Sequence, residues 1–448
     1  MKYFLLRLWR APVCLVVFVL CFGSLQPTVV DSQTAKATSN ICKSCPPPPP
    51  PAPAPGQFGG TFLGLPNTLI QTFNAGYFEF NIKWDPIAGW GPVGTQNGCF
   101  SCHGSGVDVL TGIAGNTSGV MGRRYGKWNP DGTFNPLDGS GTFPENEGGP
   151  TLHGRSAAQF LPGCKLPHEV VPADATVNNL IRSPQLFGLG LVDNIPESAI
   201  LANVGPQGLG VDGTANMVPD QNGQMHVGRF GQKASIPNLL MFTAFAFWNE
   251  LGITNAFNPN KHLPQGQPIP PLCVDSPNSP NDVNGKDFVM TFLFNALLAP
   301  VTPQPSNAQI QAGQAVFEST GCNLCHFETY TTNPNVTLPV DLNGDTTEVV
   351  GPLSSAPVNL YSDLLLHDMG SADSGGIPLG QATLTMWRTA PLWGLSTRLN
   401  FGLMHDLASP DINTAILRHG GEASQVITQY QALSADDLSN LMAFLNSL

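Results

Sequence analysis

Charge is scarce in this chain. Only 11% of its 448 residues are charged, and basic residues are the scarcer sign, 19 against 31 acidic, for a formal net charge of -12 and a sequence pI near 5.0. That balance has the wrong sign for a phosphate backbone, which speaks against nucleic acid as a partner. Long apolar runs are scarce as well. After Ala11 to Phe22 no second hydrophobic span follows, so the mature chain is expected to be soluble or tethered only at its N-terminus. Dense regular structure is the third shortage: 48 Gly and 42 Pro make up about a fifth of the residues, which implies long irregular loops around short elements. Cysteine and histidine are few, 10 and 9, so any regular spacing among them carries weight.

The first residues place Lys2, Arg7 and Arg10 ahead of the Ala11 to Phe22 run, the pattern of a secretory signal and too short to span a bilayer. An uncleaved anchor is the alternative. Lipid attachment at Cys21 is disfavoured because Leu20 is larger than such a site wants, and Ala35-Lys36-Ala37 offers a cleavage site. Pro46 to Pro51, Ala52, Pro53, Ala54 and Pro55 then form an extended polyproline spacer of roughly 30 Å. The chain is therefore expected to be periplasmic or otherwise exported.

Two pentapeptides carry the chemistry, Cys99-Phe-Ser-Cys102-His103 and Cys322-Asn-Leu-Cys325-His326. In each, two thiols at this spacing can add to the two vinyl groups of one haem while the next imidazole sits beneath the iron. Zinc half-sites are the competing reading, but no second Cys-x-x-Cys or His-x-His lies nearby to complete a tetrahedral shell. Two c-type haems follow, with His103 and His326 as proximal ligands. Cys42 and Cys45 have the same spacing without a histidine, so they read as a local disulfide rather than a third haem site; Cys164 and Cys273 could bridge in an oxidising compartment, which sequence cannot decide.

Helical spacing of Ile310, Gly313 and Phe317 delivers the chain to Cys322. Ser434 can cap a last helix whose Asp436 and Asp437 suit its positive end and whose buried stripe is Leu438, Leu441, Met442 and Leu445. Shorter helices are expected near Leu65 to Phe73 and Leu239 to Glu250. The predicted fold is mainly α and loop-rich, with two cytochrome-c-like haem domains in tandem: 1–37 signal, 38–58 linker, 59–300 N-terminal haem domain with long loops, 301–448 C-terminal haem domain.

Tyr361-Ser-Asp-Leu-Leu-Leu-His-Asp-Met-Gly370, Trp387-Arg-Thr-Ala-Pro-Leu-Trp-Gly394 and His419-Gly-Gly-Glu-Ala423 resemble the bacterial di-haem oxidoreductase family, whose members are described as peroxidases. Pro184 to Leu191 and Gly228 to Ala234 are similar to its other signatures, so the resemblance runs from about Leu65 to Leu448. The family is related to di-haem cytochrome c peroxidases and to the di-haem enzyme that matures tryptophan tryptophylquinone. In those relatives a Phe-His-x-Gly motif precedes the distal ligand of the C-terminal haem by 14 residues. His405 to His419 repeats that interval, so the resemblance implies a His326/His419 iron that is closed and suited to electron transfer.

The same relation places substrate chemistry at the first haem. His226 stands roughly where the peroxidases keep a displaceable distal histidine, with a surface residue as the equal alternative, and Glu250 resembles a position that moves protons. Two departures are plain: Gln232 replaces the usual Trp, and Asp406-Leu-Ala-Ser409 replaces Asp-Gly-Arg-Ala. Asp341-Leu-Asn-Gly-Asp345 resembles the start of a calcium loop but has no glutamate at its twelfth position, which leaves calcium a minor candidate. The implied function is a peroxidase-like oxidoreductase taking electrons from a small redox protein, a cytochrome or a copper protein, and passing them from the second haem to the first to reduce peroxide or another small oxidant. A non-enzymatic electron shuttle and an oxygen-activating enzyme are the alternatives.

Overall fold

The computed structural model describes residues 52, 54–57, 59–103, 122–137, 151–273, 281–282, 284–370 and 377–448. The expected signal, the Cys42/Cys45 pair and most of the proline spacer lie outside the described residues.

The helices arise where apolar residues recur and a polar residue can cap. α1 (Asn67–Phe80) starts after Pro66 and buries Leu69, Phe73, Gly76, Tyr77 and Phe80 along one stripe, extending further than the periodicity predicts. α2 (Phe100–His103) is a single turn carrying the first pentapeptide, and α3 (Leu189–Asp193) and α4 (Glu197–Leu201) are equally short. α5 (Leu239–Leu251) is capped by Asn238, whose side chain accepts from the Met241 amide at 2.8 Å. α6 (Lys286–Leu297) is buried on nearly every side, so it has no stripe for a sequence reading to find. α7 (Ala308–Ser319) is capped by Asn307; α8 (Ile412–Leu417) and α9 (Ser424–Gln431) follow late in the chain. In α10 (Ala435–Ser447) Ser434 accepts from the Asp437 amide at 3.1 Å, as the sequence predicts. Its core residues are Leu441, Phe444 and Leu445, while the predicted Leu438 is 36% exposed.

Two of these helix pairs cross in the same way. A Cβ on Gly76 would meet the Met290 carbonyl and lie 2.9 Å from Phe294 Cβ, and one on Gly313 would meet the Asn440 carbonyl and lie 2.7 Å from Phe444 Cβ. Only glycine lets α1 lie on α6, and α7 on α10, at such close range. Four residues on from each glycine a phenylalanine faces the histidine of a pentapeptide: Phe80 and His103 have ring centroids 6.3 Å apart, Phe317 and His326 6.4 Å.

The expectation of a mainly α fold built from two cytochrome-c-like domains in tandem is overturned. Six small antiparallel sheets accompany the helices among the described residues, the largest having Gly122–Trp128 between Phe134–Asn135 and Val177–Ile181. The others are two-stranded ladders such as Met217–Pro219 with Met225–Val227 and Leu366–Asp368 with Met386–Arg388. Buried backbone amides in the long glycine- and proline-rich connections need partners, and local ladders supply them. Nor do the cores divide in tandem. Phe73, Phe187, Phe247 and Phe294 share one hydrophobic core with Leu338, Leu353, Leu360 and Leu365 from beyond the second pentapeptide. A smaller core around Phe317, Tyr361, Leu441 and Phe444 backs the second site. Residues Pro50–Leu448 form one compact unit, within which a Cys164–Cys273 disulfide spans 109 residues.

Candidate haem centres

The second pentapeptide follows α7 directly. Gly321, at φ 87°, turns the chain off the helix so that Cys322, Cys325 and His326 line a cavity of about 260 Å³. Apolar residues of the smaller core, including Phe317, Leu441 and Leu445, form its floor. His419, just past α8, lines the same cavity. The two imidazoles are 6.4 Å apart between centroids. A metal–imidazole bond is about 2.0–2.1 Å and the coordinating nitrogen lies about 1.1 Å from the ring centre, so two rings on opposite sides of one iron should be about 6.3 Å apart. The tautomers agree. His326 Nδ1 donates to the Tyr361 carbonyl at 3.0 Å and His419 Nδ1 to the Ala415 carbonyl at 2.8 Å, leaving each Nε2 with its lone pair for a metal. Burial, with His419 adding to it, pulls His326 down to about 4, so it stays a neutral imidazole. Burial also pushes the Cys322 thiol up to about 12.

His367, which sequence reasoning left without a role, is buried beside Cys325. Its Nε2 meets Asp363 at 2.9 Å and its Nδ1 meets Glu422 at 2.8 Å. Burial opposes its charge, but the bonds to Asp363, Cys325 and Glu422 prevail and hold it up to about 12, so the charged form is favoured. Trp387 stacks on His405, centroids 3.8 Å apart at 16°, and both rings line the cavity. Sequence offered a hint only in that His367, Trp387 and Glu422 fall inside the motifs that carry the family resemblance.

The first pentapeptide sits on α2. Burial pulls His103 down to about 4, opposed by the Pro184 carbonyl, and its Nδ1 has no hydrogen-bond partner among the described residues. Burial lifts Cys99 and Cys102 to about 12; Glu79 adds to it at Cys99 and Glu250 at Cys102, where Ser183 bonds the sulfur. The structure thus brings Glu250 to this site. Thr95 Oγ1 donates to Glu250 Oε2 at 2.6 Å and Asn249 Nδ2 donates to Oε1 at 2.8 Å, so both carboxylate oxygens are fixed. Asn249 is positioned in turn by His153, whose Nε2 bonds its carbonyl at 2.8 Å while Nδ1 bonds Glu169 at 2.9 Å.

His226 goes elsewhere. On the Met217–Val227 hairpin, about a third exposed, its Nδ1 pairs with Glu197 at 2.8 Å and its Nε2 lies 3.6 Å from Asp220. No described contact brings it to Cys99, Cys102 or His103. Gln232 lines the second cavity, its Nε2 donating to the Arg182 carbonyl at 2.7 Å and its Oε1 buried with no hydrogen-bond partner among the described residues. Asp406 is clamped by Arg418 through two bonds of 2.9 and 2.8 Å. Asp341 spends its carboxylate within its own loop, on the Asn343 amide at 2.9 Å and the Asp345 amide at 3.1 Å. Among the described residues no group of three or more His, Cys, Asp or Glu is placed to hold a metal ion, and no helix is long and apolar enough to cross a membrane.

No curated protein matches the chain. A solved structure of hydrazine synthase from Kuenenia stuttgartiensis, pressurized with 20 bar xenon, is similar over 42% of this chain and 58% of that one, at 14% identity and a TM-score of 0.22. A family model matches residues 168–448, which takes in the second pentapeptide and every motif quoted above but begins after Cys99–His103, later than the resemblance read from sequence. That span is more than half of the chain, so the chain belongs to the family described as "Di-haem oxidoreductase, putative peroxidase".

Proposed function

We propose that this oxidoreductase is an exported c-type cytochrome whose two haems are bound covalently, through Cys99 and Cys102 at the first site and Cys322 and Cys325 at the second, and that it works as a peroxidase. His103 would then hold the iron at the first site, and His326 and His419 would hold it at the second. The observation that carries the reading is the asymmetry of the two centres. His326 and His419 stand 6.4 Å apart with both Nε2 atoms free, whereas among the described residues no second imidazole is paired with His103 in this way. A closed centre suits electron transfer and an open one suits substrate.

Haem at the two sites would supply one-electron storage at the second and, at the first, reduction of hydrogen peroxide to two waters with two electrons and two protons. The chain's own residues supply the rest. Glu250, held at both oxygens beside Cys102, delivers protons at the first site, and Thr95 and Asn249 keep it aimed. His153 and Glu169 hold Asn249 in turn. His226 is engaged by Glu197 and Asp220 and is left outside the ligand set. Electrons come from a small redox protein, a cytochrome or a copper protein.

Stopped-flow mixing of peroxide with half-reduced holoprotein, watched in the Soret band, tests this. Reaction at one haem and catalytic turnover are expected. If no redox state reacts while a partner cytochrome still exchanges electrons with both haems, the protein is an electron shuttle instead.

A further inference from the structure

The second cavity gathers more positive charge than its protein partners neutralise. Arg182, Arg388 and Arg398 all line it, together with the His367 cation. Against these stand Glu422 and Asp363, both already bonded to His367. Four cations and two carboxylates leave two positive charges in a largely apolar enclosure. Lys233 does not add to the lining, since its ammonium is directed to the Thr383, Leu384 and Met386 carbonyls.

The three guanidinium groups are not equivalent. Arg398 is spent on neutral acceptors: its Nη2 donates to the Pro391 carbonyl at 3.0 Å, and the Gln185 carboxamide oxygen accepts from its Nε and Nη1. Arg388 donates Nε to the Gly231 carbonyl at 3.0 Å and Nη1 to the Thr389 carbonyl at 3.3 Å, which among the described residues leaves Nη2 uncommitted. The Arg182 guanidinium makes no bond to protein among the described residues. Its backbone is fixed, the amide donating to the His405 carbonyl at 2.8 Å and the carbonyl accepting from Gln232. Arg182 and Arg388 both line the cavity and are partly buried, and burial pulls each down to about 10; at Arg388 Asp363 opposes that pull and Arg182 adds to it. Partly buried guanidinium groups with uncommitted donors are costly, so an anion belongs beside them.

We infer that Arg182 and Arg388 form the carboxylate-binding subsite of this cavity, taking the two propionates of the haem at Cys322 and Cys325, and that Arg398 is a positioning residue holding the wall behind them. The inference rests on the haem reading above. Two propionates match the two excess positive charges, and a planar guanidinium fork binds carboxylate in two bonds. Arg182 has a further place in the chain. The next two residues, Ser183 and Pro184, face Cys102 and His103 of the first centre, so one short segment touches both haem sites.

Arg182→Gln and Arg388→Gln holoproteins test this, with Arg182→Lys as the charge-conserving control. Haems are first counted by pyridine haemochrome; a wild type with no haem at Cys322 and Cys325 would sink the underlying reading rather than this one. With both haems present, each Gln variant should shift the propionate bending bands in resonance Raman. Each should also lower the ferrous to ferric ratio of the second haem about tenfold at fixed potential, about 59 mV for one electron, with the first haem unmoved. Arg182→Lys should stay near wild type in potential. Unchanged bands and potential in both Gln variants would overturn the assignment. So would a wild-type potential that moves with added inorganic phosphate at constant ionic strength, since the cavity would then hold a free anion.

Discussion

Replacing Gly313 with alanine tests whether helix proximity really positions the second centre. The added methyl would lie 2.7 Å from Phe444 Cβ and would drive into the Asn440 carbonyl. Carbon–carbon contacts settle at about 3.5–4.0 Å, so α7 and α10 must part by about 1 Å, and a gap of that size forfeits about a quarter to half of each contact along the crossing. Overpacking of this kind costs about 1–3 kcal/mol, here at the upper end because the methyl meets a backbone carbonyl, and Gly→Ala in a helix returns about 1 kcal/mol, leaving a net loss approaching about 2 kcal/mol. Because Phe317 rides on α7 and its ring faces His326 at 6.4 Å, the Soret and low-spin signals of the second haem should shift as well. Gly76→Ala should mirror this: the same order of destabilisation, with the first haem disturbed through Phe80 and the second left alone. Urea unfolding followed by circular dichroism gives the stability, and electron paramagnetic resonance reads each haem. A Gly313→Ala protein as stable as wild type, or one in which both haems move equally, would refute the reasoning.

Replacing Cys322 and Cys325 with alanine should leave one haem per chain by pyridine haemochrome, and a count of two would show that the attachment site is elsewhere. His419→Gly should turn the low-spin signal of the second haem high-spin at low temperature; an unchanged spectrum would point to Met369 or Met404, which line the same cavity. Glu250→Gln should still bind peroxide but slow the following step by about 10²-fold or more, the usual scale for a lost proton-transfer group. At His153 burial favours the neutral ring, yet Glu169 wins and raises the pKa above its usual 6.5. The stability from this pair is therefore full below about pH 6.5 and fades as pH rises through the folded value. His153→Gln should flatten that alkaline decline in thermal unfolding midpoints, and an undiminished slope would reject the pair as its source.

What could be read from sequence was what is local. Cys-x-x-Cys-His is a spacing, and the Ile310, Gly313 and Phe317 stripe and the Ser434 cap with its apolar stripe are neighbours along the chain, so α7 and α10 were legible from sequence. α6 could not, because burial on all sides removes the periodic contrast that marks a helix. The small sheets pair segments such as Gly122–Trp128 and Val177–Ile181, whose match depends on the intervening chain and leaves no alternation strong enough to see. His226 shows the limit of positional analogy: its place in the chain left ligand and surface residue as equal readings, and its Nδ1 pairs with Glu197 on an exposed hairpin. The arginine-lined cavity was likewise invisible, since Arg182, Arg388 and Arg398 meet only in three dimensions.

The Cys164–Cys273 bridge imposes a sorting problem on biogenesis. Of the six described cysteines, these two are joined while Cys99, Cys102, Cys322 and Cys325 remain unbridged. If the haems attach through these thiols as proposed, thioether formation needs them reduced, whereas the bridge needs its pair oxidised on the same polypeptide. An oxidant acting before haem attachment would find Cys99 with Cys102, and Cys322 with Cys325, only three positions apart, and would close them sooner than a pair 109 residues distant. A reductant strong enough to reopen them threatens the long-range bridge unless that bridge is already sealed in its core beside Val93 and Leu166. The order of events is thereby constrained: the first half must fold around Cys164 and Cys273, or haem must arrive first, and a host lacking either its thiol oxidant or its thiol reductant would accumulate a different dead-end form of the same chain.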